Sequence, residues 1–473
     1  MALKEKYSYL SKNIILFSIS GFVPKILSLI LVPLYTSYLT TAEYGISDLI
    51  TVTVTLLIPI FTLGIQDAVM RFALDEKYIK SDVFTIAIKI ILFGSIPVLV
   101  ATGITAWLNL PQLNNTFLIF FFIMYLTNAL NNTVSLFCRA VNKVNVIVVS
   151  SILNSLITLI ANVIFLTVFK WGLVGYLSAN TIGAIFALLY CFFAGKLYKY
   201  IKPIKQKSVV KEMIAFSFPL IFSVISWWIN NASSRYVLTW MSGVAASGIF
   251  AVAYKIPNLL TMFQNIFSQA WSISAIKEFD KNDTDHFIGN TYTMMNFALT
   301  MVCSVIMICN ILIAKMLYSN DFFVAWQYVP PLLMSVLFNA MSLFIGSIFT
   351  AVKDTKTLSI STIIGAFINI ICNIVFIYFW DIYGAVFATM LGYAVVLIIR
   401  HIILRKHIIM KIKWKRDLFV YFLLMIQMVF ALFGVRYILV QIFILAAITM
   451  LYKAEIYNIF NLIKKWIRGR KAI

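Results

Sequence analysis

Acidic residues are scarce in this chain, with 17 Asp and Glu among 473 residues. Charged residues of both signs reach only 12%, about half the share of an ordinary soluble domain. The hydrophobic fraction is 62%. No water-soluble fold hides that much apolar surface, so a soluble enzyme is excluded. Disorder is excluded as well, because it requires low hydrophobicity. Histidine is almost missing. His286, His401 and His407 each sit at the edge of an apolar run, and no metal site or catalytic pairing can be assembled from them. The five cysteines (Cys138, Cys191, Cys303, Cys309, Cys372) show no paired spacing and read as small core hydrophobes. Long polar connections are missing too, which leaves no room for an extramembrane domain. What remains is a chain whose solvent is the bilayer.

Fourteen apolar runs can be read: 13–39, 44–71, 82–107, 115–137, 145–169, 174–196, 212–241, 243–275, 286–314, 322–349, 357–379, 383–403, 417–434 and 436–452. They lack the strict alternation of barrel strands and predict an all-α polytopic membrane protein. With the N-terminus in the cytoplasm, the inner segments hold 31 Lys and Arg, and the outer loops only Lys170, Lys315 and Arg436. Such a bias fixes topology and places both termini in the cytoplasm. Most of the net charge of +21 therefore specifies orientation, and nucleic acid is not needed to explain it. Lys4, Lys6 and Lys12 precede the first run as in a signal peptide, but the run is too long and lacks a cleavage site. In the tail, Ile456, Phe460, Ile463 and Ile467 share one helical face, with Lys464, Lys465 and Arg468 elsewhere. That pattern predicts an amphipathic helix on the inner leaflet.

An internal repeat runs through the chain. Ala140-Val141 matches Ala351-Val352, and Asn162-Val163-Ile164-Phe165 matches Asn373-Ile374-Val375-Phe376 at the same offset. Gly175 and Ala179 match Gly384 and Ala388 once a shorter loop is allowed. Runs 1–6 thus correspond to runs 7–12, and the even number makes the repeat parallel. The expected organisation is a six-helix bundle over 1–205, a second over 206–410, two added helices over 411–453 and the amphipathic tail over 454–473. Two such halves can rock about a cavity between them, which suits alternating-access transport.

Charges inside the runs narrow the chemistry. Lys25 and Lys255 lie mid-run, Arg235 lies in the outer third of the seventh run, and Asp48 lies in the outer part of the second. Three unpaired cations would cost about 8–10 kcal/mol on insertion scales, so they are expected to line a wet cavity. Asp48 can balance only one of them. The resulting positive cavity would host a phosphate or diphosphate. Asp67 and Arg71, four apart, read as an interfacial ion pair. Asp48 and Asp67 are also the acids that could bind a coupling proton or Na⁺; membrane potential acting on the substrate is the other energy source open. Pro24, Pro33, Pro59, Pro219 and Pro257 fall in runs 1, 2, 7 and 8 and would bend a movable cavity wall. Trp227 and Trp228 sit mid-run, away from the interfacial belt, where core filling and packing against sugar rings are both open.

The motifs carry a resemblance. Glu43-Tyr44-Gly45-Ile46-Ser47-Asp48-Leu49, followed by Thr62-Leu63-Gly64-Ile65-Gln66-Asp67-Ala68-Val69-Met70-Arg71-Phe72, resembles the first-half signature of polysaccharide biosynthesis membrane proteins, the Wzx-type O-antigen and capsule repeat-unit flippases. Phe216-Ser217-Phe218-Pro219-Leu220, Trp227-Trp228-Ile229-Asn230, the stretch Gly248 to Pro257 and Gln269-Ala270-Trp271 are similar to the second-half motifs. The resemblance implies the multidrug/oligosaccharidyl-lipid/polysaccharide exporter fold, and movement of an undecaprenyl-diphosphate-linked oligosaccharide across the bacterial cytoplasmic membrane. It implies no enzymatic step, cofactor or metal, and it makes membrane lipid and the polymerase and chain-length machinery the expected partners. Lys25, Arg235 and Lys255 would supply a cationic lumen for the diphosphate, and Asn230, Asn231 and Trp227 would contact the glycan. Many relatives place Asp directly before the Arg of the seventh helix, where this chain has Ser234. A lipid II flippase differs only in the glycan. A drug/cation antiporter of the same fold would prefer an acidic cavity, and a polymerase or ligase would need a large outer loop.

Overall fold

The structure is a computed structural model that describes residues 24–108, 114–277, 280–352, 354–410 and 412–457. The amphipathic tail expected over 454–473 lies outside the described residues from 458 onward. All regular structure among the described residues is helical. The chain forms two compact units, Met1–Ala232 and Ser233–Ile473.

The first unit contains α1 (residues 24–30), α2 (Val32–Tyr38), α3 (Thr41–Phe61), α4 (Ile65–Leu74), α5 (Lys80–Trp107), α6 (Asn115–Ala140), α7 (Val144–Val163), α8 (Gly172–Ala194) and most of α9 (Ser208–Ser242). A π-helical turn, Ile164–Val168, extends α7. The second unit contains the end of α9, then α10 (Val244–Ala253), α11 (Pro257–Lys277), α12 (Phe287–Leu317), α13 (Val329–Ala351), α14 (Thr355–Trp380), α15 (Ile382–Leu404), α16 (Trp414–Leu432) and α17 (Ile438–Leu451). Eleven helices among the described residues are long and apolar enough to span a bilayer, and twelve if α10 and α11 form one span bent by 51°. The other two of the fourteen runs are the first, described only in part, and α16, whose first turn carries Lys415, Arg416 and Asp417.

The repeat is visible in how helices touch within each unit. Asn162 Nδ2 donates to the Thr158 carbonyl at 2.8 Å, and Asn373 Nδ2 donates to the Asn369 carbonyl at 2.9 Å. A Cβ on Gly175 would press on Phe165, and one on Gly384 would collide with the Phe376 backbone. One on Gly183 would meet Thr158, and one on Gly392 would meet Asn369. The pairs α7–α8 and α14–α15 therefore approach through equivalent glycines, as small residues allow in membranes.

Acids fix the basic linkers and the helix starts beside them. Asp82, fully buried at the start of α5, accepts from the Lys205 and Gln206 N–H groups at 2.9 and 2.8 Å. Asp283 caps α12 by accepting from Ile288 and Gly289, both at 2.9 Å. Asp354 caps α14 through Thr357 and pairs with His407 at 3.0 Å. Its hydrogen bonds to Thr357 hold it below the ordinary carboxylate range.

Two expectations change. Arg71 pairs with Asp75, one turn on, at 3.5 Å, while Asp67, one turn back, is exposed on α4. The alternatives are both i,i+4 geometries, so spacing alone does not choose between them. Arg400, counted among the linker cations, lies inside α15 and is only 4% exposed.

Candidate functional site

The first-half motifs build a helix elbow. Glu43 closes a capping box with Thr40 at the start of α3 and accepts from the Leu173 N–H at 3.3 Å, which ties α3 to α8. Tyr44 is buried in a cluster with Tyr35 and Tyr176. The second run is not one helix. It breaks at 62–64 between α3 and α4, just after Pro59, and Leu63 and Gly64 both take positive φ, 54° and 62°. The Ser217 hydroxyl on α9 donates to the Leu63 carbonyl at 2.7 Å, and a Cβ on Gly64 would meet the Ser217 carbonyl oxygen at 3.2 Å. Two separate motifs thus meet at one elbow. Gly64→Val should lower stability by about 1–3 kcal/mol, because a branched side chain is strained at positive φ. Ser217→Ala should cost about 1 kcal/mol. Unfolding midpoints of the purified variants check both, and an unchanged midpoint in Gly64→Val refutes the elbow assignment.

In the second unit the break comes at residues 254–256, between α10 and α11, and Pro257 opens α11. Lys255 occupies this break and is half-buried. The Arg235 guanidinium, from α9, stacks over Tyr254 at 5.4 Å and Phe250 at 5.9 Å. The Thr389 and Ser234 hydroxyls lie 3.1 Å apart. Asn373 donates to Ser234 at 3.0 Å and to Asn369 Oδ1 at 2.8 Å, and Ser233 donates to Asn369 at 3.1 Å. A neutral polar network across α9, α14 and α15 therefore anchors the base of Arg235. Ser234 points into that network and Arg235 points to the α10–α11 break. The spacing of Asn369 and Asn373, four apart in an apolar run, was the sequence signal for this network.

The structure thus brings Arg235 beside the residue next to Lys255. Lys25 lies in the other unit, exposed on α1, where its carbonyl accepts from Ser28. Asp48 is half-buried on α3. Asn231 is half-buried on α9, whereas the side chains of Trp227 and Asn230 lie outside the described residues. Trp228 donates from Nε1 to the Val52 carbonyl at 2.9 Å. Pro33 follows a turn at Leu31, Pro24 lies at the start of the described α1, and Pro219 lies inside α9. Trp271 of the last motif stacks on Phe344, with ring centroids 4.2 Å apart, and donates to its carbonyl. No group of His, Cys, Asp and Glu able to hold a metal occurs among the described residues.

A second polar cluster escaped the sequence. Arg416 pairs with Asp417 at 3.0 Å and with Glu455, and it covers the Tyr452 ring. Tyr452 donates to Asp417, Asn296 donates to Tyr452, and Tyr421 donates to Asn296. Gln427 and Ser304 bond each other deeper between α16 and α12. Helices α16 and α17 are thereby fastened to α12.

A family model described as polysaccharide biosynthesis protein matches residues 10–273. No curated protein matches the sequence. Among solved structures, the chain is similar to the lipid II flippase MurJ in an inward closed conformation, with a TM-score of 0.70 at 15% identity over 94% of this chain and 99% of that one. It is similar to an inward-facing multidrug resistance MATE family transporter of the MOP superfamily, with a TM-score of 0.61 at 14% identity over 82% and 97%. A MOP superfamily transporter from Pyrococcus furiosus, described as having a binding pocket of reverse polarity, gives 0.53 at 14% identity over 84% and 95%. These likenesses establish the all-helical transporter fold.

Proposed function

Because the chain belongs to the polysaccharide biosynthesis protein family, we propose that it moves a polyprenyl-diphosphate-linked oligosaccharide from the cytoplasmic to the outer leaflet of the bacterial cytoplasmic membrane. The observation that carries this reading is Arg235 stacked beside the α10–α11 break that holds Lys255. Cations are costly at this depth, and interrupted helices are tolerated where they line a cavity. In this reading Arg235, Lys255 and Lys25 hold the diphosphate, while Asn230, Asn231 and Trp227 contact the glycan. Two six-helix bundles rock to expose the headgroup on either side. Asp48 and Asp67 are the proposed carriers of a coupling H⁺ or Na⁺, with membrane potential the alternative drive. The basic linkers face the cytoplasm.

A deletion strain should accumulate the lipid-linked oligosaccharide on the inner leaflet, and re-expression of the chain should clear it. Absence of accumulation would sink the reading. A second reading, lipid II as the substrate, is favoured by the likeness to a lipid II flippase over nearly the whole chain. Rescue of a strain depleted of its own lipid II flippase would select that reading over the first.

A further inference from the structure

The first three turns of α9 have two different faces. On one face, Glu212 accepts from the Tyr78 hydroxyl at 2.8 Å, Phe216 packs on Phe72, and Ser217 holds the Leu63 carbonyl. That face is committed to the first unit. Lys207, just before α9, and Lys211, Ile214, Ala215, Phe218 and Pro219 of α9 line an open groove of about 520 Å³. Lys207 and Lys211 are exposed and one turn apart at its mouth, and among the described residues neither ammonium group makes an ion pair. Phe218, about two turns further along α9 than Lys211, is 49% exposed. The mouth is also held in place. Asp82 fixes the N–H groups of Lys205 and Gln206, and Thr85 bonds the Tyr200 carbonyl and the Lys202 N–H, so the linker delivers Lys207 from a fixed backbone.

We propose that this groove binds one anionic phospholipid, its phosphate held by Lys207 and Lys211 and an acyl chain lying along Ile214, Phe218 and Pro219. Charge complementarity selects the occupant. Two ammonium groups stand above an apolar wall, the order of phosphate and chain in a lipid, and lysines near an anionic leaflet each strengthen binding. The occupant is a bilayer lipid, and the site is independent of the transport reading.

The test is native mass spectrometry of the full chain released from nanodiscs of equal phosphatidylglycerol and phosphatidylethanolamine. Wild type should retain phosphatidylglycerol in about tenfold excess over phosphatidylethanolamine. A K207Q/K211Q double variant should lose the excess, whereas K199Q/K202Q, with the same net charge change in the same linker, should keep it. Phe218→Ser should reduce total retained lipid and leave the headgroup preference. Equal retention of both lipids by wild type, or an unchanged excess in K207Q/K211Q, would overturn the proposal. So would displacement of phosphatidylglycerol by equimolar undecaprenyl phosphate, which would assign the groove to a polyprenyl lipid.

Discussion

Arg235→Ala should reduce surface polysaccharide to less than about a tenth of wild type while the protein persists in the membrane at its normal level. The expected size follows from what a guanidinium offers a diphosphate. A charge-assisted hydrogen bond contributes about 1.5–3 kcal/mol, a factor of about ten to a hundred or more in binding. The loss should not come through folding. The stacking of Arg235 on Tyr254 and Phe250 is worth about 0.5–2 kcal/mol, and the neighbouring Ser233 and Ser234 network remains intact without it. Arg235→Lys separates charge from shape: a point charge on a flexible stem keeps the attraction and loses the planar fork, so intermediate glycan is expected. Lys25→Ala should match Arg235→Ala in effect. Immunodetection of surface glycan beside a membrane blot of the protein makes both measurements. Wild-type glycan in Arg235→Ala and Lys25→Ala together would remove both residues from the substrate path.

The helices and the expensive residues were legible in the sequence for the same reason: a bilayer charges heavily for polarity. Apolar runs must be long to span it, and an ionisable residue inside one stands out. The repeat was legible because glycines such as Gly175 and Gly384 are required where backbones touch. The interruptions at 62–64 and 254–256 were only half legible. Pro59 and Pro257 signal a weakened ladder, but whether it bends or breaks depends on what lies against it, and the hydroxyl that holds Leu63 comes from Ser217, far away in sequence. Of the network around Ser234, only the spacing of Asn369 and Asn373 was legible, and the place of Ser234 in it was hidden for a related reason. The residue directly before Arg235 reads as its natural partner, yet consecutive helical side chains point about 100° apart, and Ser234 turns to Asn373 and Thr389 instead. The thiols of Cys138 and Cys191 lie 3.8 Å apart, a contact made by the packing of α6 against α8, and no spacing announces it.

Arg400, counted among the 31 inner cations although it falls inside the twelfth run, carries the largest expected effect on stability. In the fold it is a buried hub: Nε donates to Ser361 Oγ at 3.0 Å, Nη1 to the Ser342 carbonyl and hydroxyl at 2.8 and 3.0 Å, and Nη2 to Thr362 Oγ1 at 2.9 Å and the Leu358 carbonyl at 3.4 Å. These acceptors belong to α13 and α14, so one side chain of α15 joins three helices. Arg400→Met should lower stability by about 2–4 kcal/mol, through lost charged hydrogen bonds. The cost stays in that range because the Ser361 and Thr362 hydroxyls keep their bonds to the Leu358 carbonyl, and only the buried Ser342 hydroxyl loses its partner. Arg400→Lys should recover little, since an ammonium cannot reach acceptors on both helices in one plane. Gly346→Ala tests the same hub from the opposite side, because its Cβ would lie 3.0 Å from Nη1, and a smaller loss is expected as the guanidinium shifts. Unfolding midpoints in detergent measure all three. If Arg400→Met unfolds at the wild-type midpoint, the guanidinium joins nothing, and the linker assignment made from charge alone stands.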